Sequence, residues 1–359
     1  MKIRLIGQRN SLGIGNHYAH FSNALRRLHD MGSRIEEIDF QNHTQLSQAA
    51  AESQPDDINI SFMAMNIHEH FQGHNIQWIV FESTRIPEHI ISVLHPSDQI
   101  WVPTTWGRKQ LINNGLNENK VFVVPEGVDD AVYHPYARSH LNRPFRFLLV
   151  GKYEHRKSIN ETIEAFAQVF GNTPGVELFI KSDYFNNSEA KSQELLKKLD
   201  NLGLQNVVIY WGNMLQNQLA ELYRDSDVFV FPSKGEGWGL PLIEAAAVGL
   251  PLITTVYSGQ TEFLNEILNS VLPVDYVTIP VDCTEYQSYY PDSNNDWGTW
   301  ARPDVYSIAS QLKLAKTNFE NLSVLAQQNS TIIRQKYSWA NSATIALNTL
   351  SSAGWILPS

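Results

Sequence analysis

Short apolar runs alternate with amphipathic stretches along the whole chain. Ile3–Ile6 reads as a strand, and after a glycine loop Tyr18, Phe21, Leu25 and Leu28 recur at helical spacing. Ile35–Phe40, Ile58–Met63, Trp78–Phe81, Ile100–Val102 and Val121–Val124 predict further strands, with helical patterns at Pro87–Leu94 and Thr105–Asn114 among them. The second half repeats the plan. Strands are predicted at Phe145–Val150, Val176–Lys181, Val207–Trp211, Asp227–Phe231, Pro251–Thr254 and Val271–Pro273. Helices are predicted at Ile159–Phe170, Ser188–Leu199, Asn217–Arg224, Leu240–Val248 and Gly259–Leu268. Strands that alternate with helices predict an α/β chain with two doubly wound, mostly parallel sheets. Pro125–Pro144 carries three prolines and few periodic apolar residues, so it reads as a linker between domains at 1–140 and 141–338. Tyr276–Arg302, rich in Asp, Asn, Tyr and Pro, reads as an irregular surface excursion, and Trp339–Ser351 as a last helix.

A chain of 359 residues exceeds one ordinary core, which fits the two-domain reading. Net charge is −10. Both halves are negative, so no nucleic-acid footprint is expected and an anionic membrane surface is disfavoured. Cys283 is the only cysteine, which excludes an intrachain disulfide and a thiolate zinc site. The N-terminus enters a strand at once without the apolar core of a signal peptide, and no apolar run reaches membrane-spanning length. A cytoplasmic location is the expectation.

The chemistry concentrates between Val228 and Thr255. A buried-looking strand runs into a turn at Pro232–Gly237, and the turn opens a helix. Glu236 and Glu244 flank the turn-to-helix junction with seven residues between them. Backbone amides and the positive end of a helix dipole therefore lie beside one acid, a suitable place for an anion and a polyhydroxylated group. The bland alternative for Glu244 is an exposed helix position. Its apolar neighbours Leu242, Ile243 and Ala245–Val248 argue against that, because a Glu among them needs a partner. Lys152, Arg156 and Lys157 follow a strand end and precede a helix, and taken alone they would read as a solvated basic turn. Gly13 and Gly15 mark another strand-to-helix turn, a weak signal by itself.

The order and spacing of these motifs resemble the retaining glycosyltransferases of family 4, over nearly the whole chain. The matching residues are Gly13-x-Gly15, Pro125-Glu126-Gly127-Val128-Asp129, Val150–Lys157, the Glu236/Glu244 pair with Gly237-Trp238-Gly239, and Trp300–Asp304 before a helix. The resemblance implies the GT-B fold: two Rossmann-like domains facing across a cleft, with the final helix (339–355) returning to the N-terminal, acceptor-binding domain. It implies hexosyl transfer from a nucleotide diphosphate sugar, a UDP- or GDP-hexose, to the hydroxyl of a glycan, lipid-linked or small-molecule acceptor. Glu236, Lys157 and Lys152 are then the expected catalytic residues. Gly15, Arg156, Asn213, Met214, Gly237, Trp238, Gly239, Leu240 and Glu244 are the expected donor contacts, with Glu236 meeting the sugar and Glu244 the ribose. Many members carry a histidine at the end of the strand that Glu82 closes; this chain does not, and either Glu82 or Arg85 is expected to meet the acceptor or Ser83 or Thr84 to cap a helix with these charges beside it. No cofactor and no essential metal are expected. Asp225-Ser226-Asp227 has the form of the metal motif of the other glycosyltransferase fold, but here it sits between a helix end and a strand. A non-catalytic nucleotide-sugar or glycan binder and a nucleotide-sugar epimerase are the rival readings.

Overall fold

A computed structural model describes residues 1–9, 13–28, 34–62, 69–135, 143–183, 188–282 and 296–356. Cys283, His68, Met63 and parts of the predicted linker and excursion lie outside the described residues. The chain runs β1 (Ile3–Gly7), α1 (Gly13–Leu28), β2 (Ile35–Asp39), α2 (His43–Ala51), β3 (Ile58–Ser61), β4 (His74–Trp78), α3 (Glu88–Leu94), β5 (Gln99–Val102), α4 (Thr105–Asn113) and β6 (Val121–Val123). It continues with β7 (Phe145–Val150), α5 (Ile159–Val169), β8 (Val176–Ser182), α6 (Ser188–Leu202), β9 (Val207–Trp211), α7 (Gln216–Arg224), β10 (Val228–Phe231), α8 (Leu240–Val248), β11 (Leu252–Thr255) and α9 (Thr261–Leu264). Then come β12 (Val271–Val274), β13 (Tyr276–Pro280), β14 (Thr299–Pro303), α10 (Val305–Thr317), α11 (Phe319–Lys336) and α12 (Trp339–Ser352).

Two units emerge. The first takes the described residues of Met1–Asp129, Asp292–Gly298 and Lys336–Ser359; the second takes those of Asp130–Pro291 and Thr299–Gln335. Each contains one six-stranded sheet, ordered β2-β1-β3-β4-β5-β6 in the first and β12-β11-β10-β7-β8-β9 in the second. Every pairing in both sheets is parallel. In the second sheet the winding direction reverses between β7 and β10, so the loops leaving these strands open side by side at their carboxyl ends.

The second core is built from inward residues of β7, β8 and β10 with Ile159, Ile163 and Phe166 of α5 and Ile308 and Leu312 of α10. In the first unit α12 packs on α1. The helix begins at Ser338, whose side chain caps Asn341. Val128 N–H donates to Tyr337 O at 2.8 Å, and Ser342 Oγ donates to Pro125 O. The Pro125–Asp129 stretch is therefore tied to the start of α12, although its sequence reads as linker.

Three expectations need correction. The strand expected at Trp78–Phe81 is β4, His74–Trp78. Its start is set by polar groups: Asn75 N–H donates to Asp98, and the Asn75 amide donates to Phe71 O and Gly73 O. Ile79 and Phe81 are buried beyond the end of the strand, where Ile79 N–H still donates to Trp101 O at 2.9 Å, and an apolar run reports burial more directly than strand bounds. The helix expected at Gly259–Leu268 shrinks to α9, because the backbone before it is bent into tertiary hydrogen bonds described below. The excursion at Tyr276–Arg302 is bounded by a two-stranded antiparallel ribbon, with Tyr276 opposite Pro303 and Pro280 opposite Thr299. Partners so far apart in sequence leave no local signal.

His17 of α1 is fully buried in the first unit. Its ring stands edge-on to Trp78 at 4.3 Å and to Phe62 at 5.1 Å, and stacks on Trp339 at 5.5 Å. Glu126 Oε1 lies 3.7 Å from its Nδ1, beyond hydrogen-bonding distance. Burial, aided by His20, pulls the His17 pKa down to about 3. A folded pKa below the unfolded value makes the native state bind fewer protons. Stability from this site is therefore complete above about 6.5 and is lost as pH falls toward 3, by up to about 1.4 kcal/mol per pH unit. Urea unfolding at pH 7, 6 and 5 should show this slope in the wild type and a flatter one in His17→Phe. Equal slopes would show that His17 does not carry it.

Candidate active site

Glu236 organises the loops at the β7/β10 reversal. It follows β10, whose four residues are all buried. One carboxylate oxygen, Oε1, receives Lys157 Nζ at 2.6 Å, Arg156 Nη1 at 2.9 Å and the Ser233 hydroxyl. Glu236 and Lys157 are both buried. Burial alone would raise the carboxyl pKa, but Arg156 and Lys157 outweigh it and hold Glu236 below its ordinary value. Arg156 also donates to Gly235 O at 2.6 Å, and Lys157 lies 4.9 Å over the Phe231 ring.

The two loops are clamped in both directions. Lys234, with a fully buried side chain, donates to His155 O at 2.6 Å and pairs with Glu161 at 2.7 Å. Its N–H donates to Arg156 O, and its carbonyl accepts from Ala301 N–H, each at 2.8 Å. Two non-glycine residues take left-handed backbone here, Ser158 at φ 54° and Ser258 at φ 59°. Such residues carry strain that the surroundings must offset. Ser258 Oγ accepts from Glu236 N–H at 2.8 Å, and Gly259 N–H donates to Glu236 O at 2.8 Å. These bonds explain the shortened α9.

Gly237, Trp238 and Gly239 are buried, and Gly239 at φ 99° starts α8 without a side-chain cap. Glu244 is partly buried farther along α8, and Tyr223 Oη lies 3.0 Å from its Oε2. Burial raises its pKa to about 7, against hydrogen bonds from Tyr223 and Tyr133 and the charge of Lys181. Lys152 is half-buried on the same loop as Arg156, 3.7 Å from Glu154. The structure thus brings Glu236, Lys157, Arg156, Lys152 and Gly237–Gly239 into one set of neighbouring loops, with Leu240 and Glu244 on the helix α8 that the second loop opens. Asn213 and Met214 follow the edge strand β9, where Asn213 O accepts from Tyr210 Oη at 3.4 Å.

The remaining expected residues belong to the first unit. Gly15 is buried in the first turn of α1. Glu82 is half-buried past β4. Arg85 is exposed, pairs with Asp296 at 2.6 Å, and lines a cavity of about 900 Å³ with Glu88, His95, Gln110 and Asn114. Glu82 is not among the residues lining that cavity. Asp227 of the Asp-x-Asp triplet is spent on holding the start of β7. Both of its oxygens accept from Arg143, at 2.6 and 3.0 Å, and one accepts from Arg146 N–H. Among the described residues no group of three His, Cys, Asp or Glu side chains is placed to hold a metal ion. Sequence reading missed Lys234, Ser258, Tyr223 and Tyr133. Only Lys234 carried a signal, being inside the Val228–Thr255 motif.

The family model for glycosyl transferases group 1 matches residues 134–272, entirely inside the second unit. Over that segment the chain is similar to the glycosyl transferases group 1 family. Mannosylfructose-phosphate synthase of Agrobacterium fabrum is 26% identical over 184 residues, which cover 48% of this chain and 40% of the relative. The serotype-specific mannosyltransferase WbdA of Escherichia coli is 32% identical over 161 residues, covering 43% of this chain and 19% of the relative. The alignments thus take in two fifths or less of each of these two relatives. Two solved structures share the fold over almost the whole length. HepE of Anabaena, in complex with UDP and glucose, superposes with a TM-score of 0.71 at 15% identity, covering 98% of this chain and 100% of that one. Sucrose-phosphate synthase of Thermosynechococcus elongatus gives 0.70 at 16% identity, with 99% of each chain covered. The fold is GT-B, shared with these two structures. No described helix is long and apolar enough to cross a membrane.

The glycines of the site give a test of its packing. A Cβ on Gly259 would lie 2.1 Å from Gly237 O, whereas one on Gly151 would meet only Lys157 methylenes at 3.5 Å or more. Gly259→Ala is expected to destabilise the protein by about 1–3 kcal/mol through overpacking, with Gly151→Ala close to neutral. Denaturant melts of the two variants decide it. Equal midpoints would mean the 258–260 turn is not the tight support described.

Proposed function

We propose that this chain is a retaining hexosyltransferase that moves a sugar from a UDP- or GDP-hexose to a hydroxyl acceptor. The observation that carries this reading is the convergence of Arg156 and Lys157 on Glu236, beside the uncapped start of α8, inside the segment that matches the family. Lys152, Arg156 and Lys157 against Glu154 and Glu236 leave one net positive charge, which suits a diphosphate that gains charge as it departs. Glu236 is assigned to the donor sugar hydroxyls and Glu244 to the ribose diol, since a carboxylate accepts two O–H bonds from vicinal hydroxyls. The UDP and glucose bound to HepE support a nucleotide-sugar donor.

Retention follows from a front-face displacement in this reading. The donor C1–O bond to the diphosphate breaks, and the acceptor oxygen bonds to C1 on the same face. The acceptor proton passes to the leaving phosphate oxygen. The cations at 152–157 supply the neutralisation that a divalent ion would otherwise give, so no metal is needed.

Incubation with UDP-, GDP- and ADP-hexoses and a panel of hydroxyl acceptors should release nucleoside diphosphate, and the release should survive EDTA. NMR of the product from an α-linked donor should show an α-linkage. A β-linked product would overturn retention. Loss of activity on chelation, restored by Mn²⁺, would overturn metal independence. No release with any donor would point to a binder, and a changed donor sugar without acceptor to an epimerase.

A further inference from the structure

Glu244 is held by two tyrosines whose protons do not suffice for every acceptor around them. Tyr223 Oη lies 3.0 Å from Glu244 Oε2 and 3.1 Å from Pro241 O. A phenol has one proton, and burial keeps it on Tyr223 by raising its pKa far above the ordinary value. Tyr133, buried and edge-on to Tyr223 with ring centroids 6.0 Å apart, hydrogen-bonds the same carboxylate. We propose that Tyr133 and Tyr223 are positioning residues for Glu244, and that the Tyr223 hydroxyl changes hydrogen-bond partner with the charge on that carboxylate. The proposal deepens the assignment of Glu244 to the donor ribose and rests on that reading.

Both charge states close their hydrogen bonds. When Glu244 is ionised, Tyr223 donates to the carboxylate, because a charge-assisted bond is the stronger one. Pro241 O then keeps the amide that α8 itself supplies four residues on. When Glu244 is protonated, its O–H donates to Tyr223 Oη, and Tyr223 donates to Pro241 O. The groups facing the carboxylate are Tyr223 from α7, Tyr133 from the segment after the first unit, and Lys181 at the end of β8. Lys181 is itself paired with Asp183, which also faces Tyr223. Its charge is therefore largely compensated, and the tyrosine hydroxyls become the principal stabilisers of the ionised form. A ribose diol donates both O–H groups best to a carboxylate. Nucleotide binding should then favour ionised Glu244 and release a proton near neutral pH, where the free group titrates at about 7.

The test uses the whole ligand-free protein. Side-chain ¹³C NMR with labelled glutamate follows the carboxyl titration, with Glu244→Gln assigning the signal. Glu244 is expected to titrate near 7 in the wild type. In Tyr223→Phe and in Tyr133→Phe it is expected to move up by about one pH unit, because a donor to the charged form is gone. UDP and GDP affinity in each variant should fall about fivefold at pH 7, as the ionised fraction of Glu244 does, and recover at pH 8.5, which a merely structural loss would not do. If both folded variants titrate like the wild type, the positioning role is wrong even where nucleotide binds. If the titration moves as expected and no nucleoside diphosphate binds at any pH, the positioning role stands and the donor-site reading falls. Should Tyr223→Phe fail to fold, Tyr133→Phe alone decides by the same titration.

Discussion

A buried carboxylate held by two cations on one oxygen is the constraint around which the second unit is arranged. Removing Glu236, Lys157 and Arg156 from water carries a large desolvation cost, which is offset only if the partners stay within hydrogen-bonding distance. The partners come from loops after two different strands, so both loops must be fixed. Lys234 fixes one against the other, and Ser258 and Gly259 fix the Glu236 backbone from a third side. The left-handed Ser158 and Ser258 are the strained points of that arrangement. A buried ion pair is weak support for stability but strong support for a defined geometry, and geometry is what a charged ligand requires.

The sheet order explains why the constraint arises at this place. A parallel sheet that reverses its winding leaves two neighbouring strands whose connections depart to opposite faces, and the loops above them part to leave a crevice. In the second unit those strands are β7 and β10, and they deliver Lys152–Lys157 and Ser233–Gly239. The helix dipole of α8 adds a partial positive charge there. Farther along α8, Glu244 meets a different electrostatic environment, with hydroxyls and a compensated lysine in place of cations bonded to the carboxylate. Two acids separated by seven residues thus differ in ionisation: Glu236 is held charged, while Glu244 is poised near neutrality. The first unit shows the complementary solution for a buried ionisable group. His17 is kept neutral among aromatic rings, and Glu126 at 3.7 Å does not outweigh the burial of its ring.

The sequence by itself determined the α/β class, the parallel alternation and the principal site motif. Apolar strands such as Val228–Phe231 and Phe145–Val150 are short, continuous and bounded by turns, which is a local property. Glu236, Glu244 and the basic run at 152–157 were legible for the same reason: turn chemistry and charge are written within a few residues. The tertiary structure alone decided which groups meet. That Arg156 and Lys157 share one oxygen of Glu236 depends on β7 and β10 lying side by side, which brings together Lys157 and Glu236 from 79 residues apart in sequence. That Lys234 is a buried clamp and Tyr223 a partner of Glu244 depends on packing between elements that carry no mark of each other. The β13–β14 ribbon, the shortened α9 and the true start of β4 were hidden likewise. The ribbon and α9 are set by hydrogen bonds to distant backbone, and the start of β4 by the bonds of Asn75 to the Asp98 side chain and nearby carbonyls, whereas periodicity reports only which face of a segment is apolar.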